Sequence, residues 1–199
     1  MTEIWPTVCG TGHRKMTQAD ARWLHDEILR ILAKLEGDHG LTEVVSGMAL
    51  GFDQQLAEMA LVCNLRLHAV PPFPSQFAAW PEREQNHWHD LIMMATEITP
   101  ASPRDPDFSN QRQIAAMLHG RNDTMLKMSQ AVIAAADLTK LTWRNDRIVG
   151  GTWNCVDKAV KQSKPIIWMD PRARTVKKPT PEGWARIFRE QKEKQNACR

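Results

Sequence analysis

Apolar and polar positions alternate along the chain between two kinds of segment. Residues 4–9 form a short apolar run ending in Gly10-Thr11-Gly12-His13-Arg14, the pattern of a strand that delivers a glycine-containing loop. Thr17, with Asp20 three residues on, forms a capping box in which Asp stands for the usual Glu. Trp23, Leu24, Ile28, Ile31, Leu32 and Leu35 then recur at the three- and four-residue spacing of an amphipathic helix, which Gly37 and Gly40 end. The unit repeats in altered form. Residues 42–45 read as a strand, Ser46-Gly47-Met48-Ala49-Leu50-Gly51-Phe52-Asp53 as a loop, and residues 54–63 as a helix. A third strand over residues 65–70 stops at Pro71-Pro72, which cannot donate to a ladder. Near-continuous apolar strands alternating with helices predict an α/β fold with a mainly parallel sheet covered on both faces.

Beyond residue 72 the pattern predicts a helix over 81–96, a short strand at 97–99, a helix over 111–129, a buried strand at 131–135, a helix over 153–163 and a last core strand at 165–169. Residues 102–110, with Pro103 and Pro106, are the candidate mobile lid. A terminal helical pattern at 182–194 carries Trp184, Ile187 and Phe188 on one face.

Composition narrows the class. The chain has 199 residues, 42% hydrophobic and 25% charged, enough for one domain with a real core. No run approaches the roughly 20 apolar residues that cross a bilayer, and Met1-Thr2-Glu3-Ile4-Trp5 lacks the basic start and apolar run of a secretory leader, so a cytoplasmic protein is expected. Cys9, Cys63, Cys155 and Cys198 lack zinc spacing and are too sparse for a disulfide scaffold; they read as reduced thiols. No metal site and no cofactor is expected, and His87 and His89, two apart on a helix, do not share a face. The net charge of +3 divides unevenly. Residues 171–199 hold nine basic and three acidic residues, net +6, leaving 17 basic and 20 acidic in residues 1–170, net −3. On that basis residues 1–170 form the domain and 171–199 a basic, partly helical tail.

Three segments are expected to follow a strand and precede a helix: Gly10 to Arg14, Ser46 to Asp53, and Gly150-Gly151-Thr152. In a parallel sheet such loops gather at the carboxyl edge, where open α/β folds bind ligands and helix N-termini offer free N–H groups to phosphate. None is a G-x-G-x-x-G or G-x-x-x-x-G-K-[ST] segment, which removes support for a plain dinucleotide dehydrogenase or an ATPase. Arg14 and Arg121 are of the type that clamps phosphate oxygens, and Asp53 of the type that accepts from ribose hydroxyls. A solvated surface charge for Arg14 and a plain N-cap for Asp53 are the alternatives. His13 is the one histidine expected in the site. One of Phe73, Phe77, Trp80 and Trp88 could stack on a base, the alternative for each ring being packing in the core or a dimer contact.

Thr11-Gly12-His13-Arg14, the segment from Ser46 to Asp53 with Ala57 and Ala60, Pro72-Phe73 with Gln76 and Trp80-Pro81, Arg121-Asn122, and Gly150-Gly151-Thr152 occur in this order. The combination resembles the YpsA-like branch of the SLOG superfamily, Rossmann-like domains related to the DNA-processing protein DprA and to the LOG phosphoribohydrolases. The resemblance covers residues 8–170. It implies a Rossmann-like three-layer fold, a homodimer, and a nucleotide or nucleotide-derived small molecule of the ADP-ribose type. Thr11, Gly12, Ser46, Gly47, Met48, Gly51, Gly150, Gly151 and Thr152 would cradle it, and His13, Arg14, Asp53, Arg121 and Asn122 would supply polar side chains.

The LOG enzymes carry G-G-x-G-T-x-x-E, whose Glu assists cleavage of an N-glycosidic bond. Here Cys155 falls where that Glu would be. Asp53, Glu58 or Asp157 could supply the missing carboxylate; Asp53 with Arg121 is the candidate catalytic pair for hydrolysis of a nucleoside monophosphate, and Cys155, near a helix N-terminus, is either a nucleophile or a small buried hydrophobe. Nucleic-acid binding through the basic tail is the remaining alternative, against a solvated terminal helix.

Overall fold

The computed structural model describes residues 3–197; Met1, Thr2, Cys198 and Arg199 lie outside the described residues. Chain order is β1 (Thr7–Gly12), α1 (Gln18–His39), β2 (Glu43–Ser46), α2 (Phe52–Val62), β3 (Arg66–Ala69), α3 (Glu82–Met94), β4 (Glu97–Ile98), α4 (Gln111–Met128) and β5 (Ala131–Ala135), then β6 (Thr142–Arg144), β7 (Arg147–Val149), α5 (Gly151–Lys161), β8 (Ile166–Asp170), β9 (Thr175–Lys177) and α6 (Pro181–Ala197). Seven strands form one sheet in the order β4-β3-β2-β1-β5-β8-β9, parallel except for β9, while β6 and β7 pair separately. The fold is α/β and Rossmann-like, with helices on both faces.

Strand alternation separates the layers. Val8 and Val44 face a core shared with Leu24, Ile28 and Leu32 of α1 and Phe52 and Leu56 of α2. Their neighbours Cys9 and Val45 face the opposite core, with Met125 and Leu126 of α4 and Trp153 and Val156 of α5. The Thr17–Asp20 capping box is present, and Gly40, at φ 67°, closes α1 while Gly37 lies inside it. The first strand departs from expectation. It starts after Pro6, whose carbonyl accepts from Thr42 and Glu43, and continues through Gly12, paired with Ala135 of β5. Gly10 and Gly12 are therefore strand residues. A Cβ on Gly12 would overlap Phe52, so the missing side chain lets α2 lie directly on the sheet.

Two features escaped the sequence reading. The β6–β7 hairpin turns at Asn145 and Asp146, both with positive φ, and puts a separate two-stranded ribbon ahead of Gly150. The third glycine-containing segment thus follows this ribbon rather than a strand of the main sheet. Strand β9 runs back along β8, its turn held by Asp170 Oδ1, which accepts from Arg172 and Ala173 N–H. Trp184 of α6 is 2% exposed and packs on Trp168 and Trp153 at 5.4 and 6.5 Å between ring centres. Around residues 102–110, Asp105 accepts from Ser75 N–H at 2.8 Å. Among the described residues, no helix is long and apolar enough to cross a membrane.

Replacing Trp184 with Ala should cost about 3–5 kcal/mol of unfolding free energy, as large core aromatics do. Urea denaturation checks this; a midpoint unchanged from wild type would contradict the packing of α6 into the core.

Candidate functional site

The carboxyl ends of β1 and β2, the middle of α4 and the start of α5 enclose a cavity of about 300 Å³, at the small end of ligand pockets. Thr11, Gly12, His13, Arg14, Asp53, Arg121, Asn122, Gly151 and Thr152 line it, together with Ala49, Ala115, Leu118 and His119. Nine of the expected residues therefore meet at one place.

Arg121, 7% exposed, organises the floor. Its Nη1 donates to the Gly47 carbonyl at 3.2 Å and to Asp53 Oδ2 at 3.5 Å. Its Nε and Nη2 donate to Asn122 Oδ1 at 3.3 and 3.0 Å. Asn122 Nδ2 passes the connection to the Gly151 carbonyl at 3.2 Å. One guanidinium thus ties α4 to the loop after β2 and, through its neighbour, to the first turn of α5. Gly47 must be glycine for this: a Cβ would lie 2.8 Å from the Arg121 guanidinium.

The remaining cradle residues support from behind. Ser46 Oγ donates to the Asp53 carbonyl at 2.7 Å and accepts from Met48 N–H, and Met48 is fully buried. Gly51 caps α2 at φ 84°, against the His13 and Arg14 carbonyls. Gly150, at φ 92°, caps α5 and lines a neighbouring groove. Ser46, Gly47, Met48, Gly51 and Gly150 are therefore absent from the cavity wall, and the first four shape the loop that holds Asp53 and Arg121.

The two helix starts at this edge differ. In α2, Phe52 N–H is taken by the His13 carbonyl and Asp53 places a carboxylate in the first turn, so the positive end is already offset. Asp53 is not the N-cap: its Oδ2 accepts from Ala49 N–H at 3.4 Å and from Arg121. Burial raises its pKa, against the opposing pull of Arg121, the Ala49 amide and Arg14. In α5, Gly150 supplies no capping side chain, and the helical ladder opens with Asn154 N–H donating to the Gly150 carbonyl. The amides of Gly151, Thr152 and Trp153 precede that ladder, and Gly151 and Thr152 line the cavity, where an anion can meet them. Thr152 Oγ1 donates to the Gly12 carbonyl at 2.8 Å, which moors α5 to β1.

His13 Nε2 accepts from Asp137 N–H at 2.9 Å, so the neutral ring carries its proton on Nδ1. Burial, then the nearby Lys140 charge, lowers its pKa. Asp137 was not foreseen as its partner. His119 also lines the cavity, its Nδ1 3.1 Å from Asn154 Oδ1, which corrects the expectation of a single histidine. Cys155 is fully buried with its pKa raised by desolvation, the condition of an unreactive thiol rather than a nucleophile. Phe77 stacks on buried Trp88 at 4.5 Å, and Phe73 is buried; these rings and Trp80 lie outside the cavity wall. Among the described residues no cluster of His, Cys, Asp or Glu is placed to hold a metal.

No family model matches the chain, and no curated protein matches it. Solved structures do. The X-ray structure of DNA processing protein A from Streptococcus pneumoniae superposes with a TM-score of 0.59 at 17% identity, over 83% of this chain and 50% of that one. DNA processing protein A from Helicobacter pylori, described for its single-stranded DNA binding mode, gives 0.59 at 21% identity over 94% and 74%. The chain thus spans half the length of the streptococcal protein, and what it shares with both is the fold.

Protonating His13 Nε2 removes the acceptor for Asp137 N–H. The folded pKa lies below the unfolded value near 6.5, so this contribution to stability is complete above about pH 6.5 and is lost as pH falls toward the folded pKa. The urea midpoint of wild type should therefore fall more steeply below about pH 6.5 than that of His13→Gln; identical slopes would contradict the assignment.

Proposed function

We propose that the protein binds a nucleotide or nucleotide-derived small molecule, with its phosphate against the N-terminus of α5 and the guanidinium groups of Arg14 and Arg121. The observation that carries this reading is the pairing of an uncapped helix start with a cavity lined by two arginines and one carboxylate. Arg14 is exposed, yet partial loss of water around its guanidinium and then the like charge of Arg121 lower its pKa, with Asp53 opposing, and a bound anion would favour its charged form. The resemblance of the same segments to the YpsA-like branch of the SLOG superfamily supports the same ligand class. Asp53, already engaged by Arg121, is the acceptor available to a ribose hydroxyl.

A second reading, binding of single-stranded nucleic acid, draws support from the shared fold, because the H. pylori protein is described as binding single-stranded DNA. The basic C-terminal segment favours it less than its charge suggests. Lys178 lies over the Trp5 ring at 4.0 Å, Lys177 over Trp168 at 5.6 Å, and Arg174 pairs with Asp20 at 3.0 Å. These cations serve the fold.

Calorimetric titration with AMP, ADP-ribose and NAD should detect binding of at least one, with a ligand-dependent rise in melting temperature. Arg14→Gln and Arg121→Gln should each weaken it by about tenfold or more, the worth of a charged hydrogen bond. Arg14 is exposed, so its variant should keep the wild-type melting temperature and serves if Arg121→Gln unfolds. No binding of any of the three would reject the reading. A single-stranded oligonucleotide whose affinity falls steeply with salt would favour the second.

A further inference from the structure

A second groove adjoins the cavity. It is lined by Arg144, Asn145, Arg147, Ile148, Val149, His119, Gly150 and Asn154, so it shares His119 with the cavity and abuts it across the Gly150–Gly151 peptide. Arg144 and Arg147 stand directly opposite each other on the β6–β7 hairpin. Like charges facing each other across two strands repel, and among the described residues neither arginine forms an ion pair. Asp146, the carboxylate of the intervening turn, is bound to Lys192 at 2.8 Å. The hairpin is held in place from α6: Gln195 accepts from Trp143 N–H at 3.0 Å and donates to the Trp143 carbonyl at 3.2 Å. Two unneutralised guanidinium groups are thus kept in register, on a braced ribbon, at the mouth of an uncapped helix start.

We infer that Arg144 and Arg147 form a second anion subsite, which takes a second phosphate of the ligand. Planar guanidinium forks suit phosphate oxygens, and two of them on one face bracket a single group. The inference rests on the nucleotide reading and sharpens its ligand class: a nucleotide with two linked phosphates, one over Gly151 and Thr152 and the other over the hairpin. A pyrophosphate and a phosphodiester share this chemistry. His119, hydrogen-bonded to Asn154, lines both the cavity and the groove.

Calorimetry with AMP, ADP, thymidine monophosphate and a 5′-phosphorylated thymidine dinucleotide tests it on the full chain. The structure predicts that ADP, the dinucleotide, or both bind about tenfold more tightly than the matching monophosphate. An advantage for ADP alone identifies a pyrophosphate, and for the dinucleotide alone a phosphodiester. Arg144→Gln with Arg147→Gln should abolish the advantage, leave monophosphate affinity unchanged, and keep or raise the melting temperature because a repulsive pair is removed. Equal affinity for one and two phosphates in wild type, or an advantage that survives in the double variant, overturns the second subsite. If a monophosphate binds and Arg121→Gln weakens it while no advantage exists, the second subsite fails and the nucleotide reading stands; if no probe binds, both fail.

Discussion

Burial of a single guanidinium in the middle of α4 is the constraint around which the carboxyl edge is built. A buried cation is tolerated only when its donors are satisfied and its charge is balanced. Arg121 meets that demand with partners from three places: the Gly47 carbonyl after β2, Asp53 in the first turn of α2, and Asn122 beside it on α4. Each partner is then restricted in turn. Gly47 has no room for a side chain, Asp53 is buried with its pKa raised, and Asn122 must turn its amide to the Gly151 carbonyl. The network positions the start of α5 relative to α4, and so sets the shape of the cavity between them.

The same network decides which helix end is open to a ligand. Asp53 is bound into the Arg121 cluster and offsets the positive end of α2, whereas Gly150 leaves α5 uncapped. The net charge of the chain is irrelevant to this choice. Residues 1–170 are net negative, yet the amides of α5 and the guanidinium groups of Arg14 and Arg121 make the cavity locally favourable to an anion. Several cations of the C-terminal segment lie on tryptophan rings or in ion pairs.

Much of the fold was legible because parallel, doubly covered strands write their burial directly into the sequence. The run at 131–135 coincides with β5, and the α1 capping box and its apolar stripe appear as read. Glycine was the ambiguous letter. Gly10 and Gly12 read as a loop, although they serve the close approach of α2 to β1, because a missing side chain suits either use. The Asn145-Asp146 pair was a hairpin signal that went unread, and β9 has only three residues in a segment dominated by charge. At the site, the residue types that carry charge were legible one by one. The Arg121–Asp53 contact spans 68 residues, and no local pattern reports it. Ala115, Leu118 and His119 were missed because they lie on an exposed to half-buried stretch of a helix whose other positions look similar.

The position of a phosphate relative to α5 would be tested most directly by a crystal structure of the protein grown with ADP-ribose. The expected result is phosphate oxygens within hydrogen-bond distance of the Gly151 and Thr152 amides, with Arg121 still joined to Gly47, Asp53 and Asn122. Density for the ligand at another surface, with the Gly12, Gly47 and Gly151 edge holding solvent alone, would contradict it.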